Sequence, residues 1–207
     1  SSNEIFKGMG SYFLLDGKYN ITGLKDIAMY ARIGNVQGSR SENIQLMESM
    51  LLLAQKLNSD NISELLDDNL ASSFGLLEKD IIALNKVATR ELPIVIEVNR
   101  AADILQALRL KKIFNLDMIL MSVEEAPLII QQIKDSGVPV IIDPMDNIPN
   151  SFDELASDIK LGGILDKNSI KVMFSTQRSH NYHLMRQGAG NAVAHGMSYN
   201  CLLYTSP

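Results

Sequence analysis

Four short apolar runs, set between helical stretches, narrow the fold of this chain most. They are Ile94–Val98, residues 118–121, residues 138–142 and Val172–Phe174. Each is too short for a helix and almost wholly apolar, which is how a strand covered on both faces reads. Between them lie three helical stretches. Ala101–Phe114 carries Ile104, Leu105 and Leu108 inward. Residues 124–136 turn Ala126, Ile129, Ile130 and Ile133 inward and end at Gly137 as C-cap. Residues 152–166 follow Ser151 as N-cap. After the last strand a polar loop, 177–181, leads into a helix with a stripe at Met185, Ala189, Ala192, Val193 and Gly196. Strand–helix units repeated in this way imply a parallel sheet with right-handed crossovers.

Two architectures satisfy that pattern, an open doubly wound sheet or part of a (β/α)8 barrel. A dinucleotide-binding sheet would carry a glycine fingerprint at its first strand–helix turn. The turn after Val98 is Asn99-Arg100-Ala101-Ala102, without glycine. Gly188 and Gly190 fall inside a helix and read as places of close packing. The expected fold is therefore a partial TIM barrel, a fragment, because a full barrel takes roughly 250 residues and the chain has 207.

Upstream of Pro93 the pattern is different. Residues 1–40 are glycine-rich and read as irregular, apart from a strand at 12–15 closed by Asp16-Gly17. Three helices are expected next: 42–57 capped by Ser41 with Ile44, Met47, Leu51, Ala54 and Leu57 inward, 62–72, and 76–90 with Leu77, Ile81, Leu84, Val87 and Ala88 inward. The domain reading is 1–92 as linking region and helices, 93–200 as the C-terminal half of the barrel, and 201–207 as a foreign tail.

Charge removes some classes. Nineteen basic against 24 acidic residues give a net charge of −5, with no long basic run, which argues against nucleic acid as partner. No stretch reaches the roughly 20 apolar residues of a membrane span. The single Cys201 excludes an internal disulfide and a cysteine metal cluster. A small-molecule substrate is the expected partner, and a homo-oligomer stays open. The chain begins Ser-Ser-Asn-Glu without an initiator Met, which leaves its true start and any signal peptide open, so periplasm and cytoplasm both stay open. The ten methionines read as core filling.

The run Leu92 to Ile104 resembles the fifth strand and helix of the imidazolonepropionase-like amidohydrolases. So do Gly137–Ile141 with the loop from Pro144 to Pro149. Ile170 through Gly196 is similar to their eighth strand and helix, including the His180-Asn181 and Ala189–Val193 steps. The resemblance implies metal-assisted hydrolysis of C–N bonds, in bacterial relatives, by water activated on a divalent ion, zinc for preference. It also exposes departures. Glu97 stands where the family has a strand-five His. Gln177 stands where it has the strand-eight Asp that takes the water's proton. The alternative is a barrel that has lost its catalytic ligands and serves as a binding or subunit partner. A weaker third reading is an open-sheet small-molecule binding domain.

On this reading Glu97, Gln177 and His180 are the catalytic candidates, with Glu97 and His180 as metal ligands. Arg100, Asp143, Arg178 and Asn181 are the substrate-binding candidates. Each has a plainer alternative. Glu97 can pair with Arg100 or another cation, since an unpaired buried charge is costly. His180 and His183 share a helix face, yet two ligands lack a third. Asp143 opens an Asp-Pro turn of structural use alone. Arg178 and Arg186 could hold a substrate carboxylate but read more readily as surface arginines. Ser179 beside His180 invites a triad, but no nucleophile elbow is present. His195 reads as an exposed helix-end histidine.

Overall fold

The computed structural model describes residues 5–18, 20–34, 36, 38–56, 78–176 and 183–199. Its contacts divide the chain into two compact units, Ser1–Ile96 with Arg109–Met118, and Glu97–Leu108 with Ile119–Pro207.

The first unit opens with a hairpin. Strand β1 (Phe6–Leu15) pairs antiparallel with β2 (Ile21–Arg32). Residues 1–40 are thus not irregular, as their glycines suggest. Two register irregularities border Gly8 and Gly10, and Gly8 takes a φ of 114° that side-chain-bearing residues rarely adopt. Asp16 closes the turn. Its carboxylate accepts the Lys18 N–H at 2.7 Å and the Asn20 side-chain amide at 2.9 Å, and those bonds hold its pKa below the ordinary value. At the base Ile5, Ala28, Met29 and Ala31 are buried, whereas Phe13, Leu15, Ile21 and Leu24 stay exposed.

Helix α1 (Arg40–Gln55) is capped by Ser39, whose hydroxyl accepts the Glu42 N–H. The cap is thus two residues earlier than Ser41. Ile44, Met47, Leu51 and Ala54 are buried as the periodicity requires. Helix α2 (Glu78–Ala88) buries Ile81, Leu84 and Val87. It is tied to α1 by the Asn85 amide, which donates to the Ala54 carbonyl at 2.8 Å. Leu57, Leu77 and the helix expected at 62–72 lie outside the described residues.

The repeating part follows. Its elements are β3 (Ile94–Val98), α3 (Ala101–Phe114), β4 (Met118–Ser122), α4 (Ile130–Ser136), β5 (Val140–Ile142), α5 (Leu161–Lys167), β6 (Val172–Phe174) and α6 (Met185–Ala194). The strands lie in one mixed sheet in the order β1-β2-β3-β4-β5-β6. β4, β5 and β6 pair in parallel. A doubly wound sheet reverses its order at a switch point; this one does not. It is part of a (β/α)8 barrel, as expected.

Three helical expectations need correction. Residues 124–136 are not one helix: Pro127 sits in a 3-10 turn, Ala126–Ile129, and α4 starts after it. Residues 152–166 break likewise. Ser151 caps a 3-10 turn, Phe152–Glu154, and Asp158 then accepts the Lys160 N–H just before α5. On α3 the buried set is Ile104, Ala107, Leu110 and Phe114, while Leu105 is exposed. Gly137 does end α4 in the left-handed conformation, at a φ of 65°.

Candidate functional site

The second unit has two faces, and the parallel ladder shows how they differ. Leu120 lies beside Val140, which lies beside Val172. All three have an exposure of 0%, so this face is sealed. The adjacent row, Met121, Ile141 and Met173, is only half-buried. In a parallel ladder an N–H reaches the carbonyl one residue before its lateral neighbour. The Leu120 N–H to Pro139 carbonyl bond shows this beside Val140. By the same geometry the Val123 N–H to Val98 carbonyl bond, 2.9 Å, sets Val123 beside Asn99. Glu97 then falls beside Met121. The half-buried row therefore begins with a carboxylate, Glu97, itself half-buried.

One step nearer the carboxyl ends stand Asn99, Val123, Asp143 and Ser175, the last placed by its N–H to the Ile142 carbonyl at 3.1 Å. Asn99 is buried, and its side-chain carbonyl has no hydrogen-bond partner among the described residues. Arg100 is exposed. Asp143 is part of a turn, since its carboxylate accepts the Met145 N–H at 2.9 Å and its carbonyl accepts the Asp146 N–H. Gln177, Arg178, His180 and Asn181 lie outside the described residues, as does Ser179. His183 and Arg186 are exposed. His195 closes α6 in the open, with its ring nitrogen Nδ1 2.7 Å from the Asn191 carbonyl, where it donates.

Helix α6 buries Gly188, Ala189 and Ala192. Val193 and Met185 are half-buried and Gly196 is exposed, so the stripe is narrower than the sequence suggests. Gly188 is a close-packing position: a Cβ there would come 2.7 Å from Cγ of Pro144. Gly190 is not, for nothing lies within 4 Å.

Glu124 and Glu125 close β4 and diverge. Glu125 accepts the Ala101 N–H at 2.8 Å, where the N-terminus of α3 favours a negative charge. Glu124 turns inward to an exposure of 8%. Two successive residues in the left-handed region put it there, Ser122 at a φ of 78° and Val123 at 55°. For a β-branched valine that conformation is rare and strained. Glu124 shares a cavity of about 10 Å³ with Asp143, Asp146 and Asp158, roughly one water's worth of room. Burial pushes its pKa up from 4.5 to about 7, helped by the charges of Asp146 and Glu154 and opposed by a hydrogen bond with Ser157. A carboxyl that titrates near neutrality can give or take a proton there. The sequence does show a double carboxylate at a strand end. It does not show the backbone reversal that buries one of the two.

No family model matches this chain, and no curated protein does. Among solved structures it is similar to the crystal structure of an amidohydrolase from Thermotoga maritima MSB8. The TM-score is 0.72 at 14% identity, over 87% of this chain and 50% of that one. The chain thus spans about half the length of that neighbour. At this identity the likeness establishes an amidohydrolase-like fold.

Proposed function

We propose that this chain is part of an imidazolonepropionase-like hydrolase that cleaves C–N bonds of small molecules at the carboxyl ends of β3–β6. The observation that carries the reading is Glu97, a carboxylate heading an otherwise apolar, half-buried row of the sheet. In barrels of this kind such strand ends hold the chemistry. Glu97 acts as base or ligand, and Asn99 presents an unsatisfied carbonyl to a substrate N–H one step further on. Arg100, Asp143, Arg178 and Asn181 are assigned to substrate, and Gln177 and His180 to the catalytic group. A divalent ion, zinc by family resemblance, belongs to the proposal through Glu97 and His180. When bound it would supply activated water. Among the described residues no three His, Cys, Asp or Glu side chains gather as an ion requires. Domain limits at 92 and 200 belong to the same reading.

The second reading, a catalytically silent barrel, rests on Glu97 and Gln177 standing where relatives carry His and Asp. Metal content separates the two. Zinc bound one-to-one by the purified protein, and lost in Glu97→Ala with the unfolding midpoint preserved, supports the hydrolase. Metal-free protein under zinc saturation supports the silent barrel.

A further inference from the structure

We propose that Glu124 is a proton-operated latch: in its neutral form it seats the 143–160 segment on the carboxyl end of β4, and on ionising it releases that segment.

The geometry carries the argument. Glu124 is more than nine-tenths buried, and its Oε2 has no hydrogen-bond partner among the described residues. The cavity it faces has room for about one water. An ionised carboxylate there cannot be rehydrated unless its walls part. Among the described residues, the charged groups that line its cavity or act on it are acidic, and all lie on one segment. Asp146 and Glu154 raise its proton affinity, and Asp143 and Asp158 line the same cavity. Among the described residues, no Lys, Arg or His lines that cavity. Ionisation therefore adds a like charge against a single segment, the loop between β5 and α5.

The Ser157 hydroxyl donates to the Glu154 carbonyl at 2.8 Å, and its hydrogen bond with Glu124 only partly offsets the cost of ionising that carboxyl. A pKa near 7 puts the switch in the physiological range. The sign follows from linkage. Glu124 keeps its proton to about pH 7 in the closed form, against 4.5 ordinarily. Closure is thus fully favoured below 4.5, weakens as pH rises to about 7, and is level above. Asp143 lies on the released segment, so the latch would also govern the rim that holds a proposed substrate contact. The latch itself stands whether or not the hydrolase reading does.

Amide hydrogen exchange tests it, with protection of 143–160 corrected for intrinsic rate and compared with α1. Protection should fall at least about tenfold between about pH 5.5 and about pH 8, with the fall complete by about 7. Glu124→Gln should be protected at both values. Asp146→Asn, which removes a charge that raises the proton affinity of Glu124, should lower the pH at which protection levels off. The proposal fails if protection is level across that range, or if Glu124→Gln keeps the wild-type profile. It fails equally if calcium or magnesium alone restores protection at the higher pH, for the cavity would then be a cation site.

Discussion

Two glycine-to-alanine changes in the second unit should have opposite signs. Both sites are helical, so alanine gains up to about 1 kcal/mol of helix propensity at each. At Gly163 in α5 the new Cβ would lie 2.8 Å from the Gly196 carbonyl carbon, 2.9 Å from the His195 oxygen and 3.1 Å from the Met197 nitrogen. These are backbone atoms of the turn after α6, which no rotamer change can clear. Overpacking of that kind costs about 1–3 kcal/mol, which outweighs the propensity gain. Gly163→Ala should thus destabilise by about 1–2 kcal/mol and lower the melting temperature by about 3–6 °C. At Gly190 nothing lies within 4 Å, so Gly190→Ala should stabilise by about 0.5–1 kcal/mol. Thermal and urea unfolding of the two variants and the parent suffices. If Gly163→Ala is as stable as the parent, α5 and the turn after α6 do not approach as described.

Other outcomes follow from single contacts. Global stability should fall by roughly 3 kcal/mol between pH 4.5 and about 7, because Glu124 keeps its proton longer when folded; urea midpoints should be level over that range in Glu124→Gln if no other group contributes. Glu125→Ala removes the acceptor at the start of α3 and should cost about 1 kcal/mol by urea titration, with Glu125→Gln costing less. Breaking the surface pair of Arg109 and Glu48, 2.7 Å apart and 41% and 29% exposed, should cost under about 1 kcal/mol and less at high salt.

Strands β3 to β6 were legible because one face is sealed and the other half-buried, which leaves almost wholly apolar runs with turn residues at each end. Of the hairpin only residues 12–15 and their turn at Asp16-Gly17 were. Its tip exposes Phe13, Leu15, Ile21 and Leu24, and its register slips erase the alternation that marks a half-buried strand. The face of α3 was misjudged because the small Ala107 is buried while the larger Leu105 is not. Pro127 was a visible reason to divide the helix at 124–136, and Asp158 was one for 152–166. Glu97 could be singled out as a lone carboxylate inside an apolar strand. Glu124 could not, since its burial depends on the left-handed pair Ser122–Val123, and neither residue announces that conformation.

The proposed hydrolase is tested most directly by amine release from a panel of small amides and cyclic amides, with purified protein supplied with zinc. Turnover by the parent, reduced at least about a hundredfold in Glu97→Gln at an unchanged unfolding midpoint, is the predicted result. Turnover that survives the Glu97 change intact, or no turnover on any member of the panel, contradicts it.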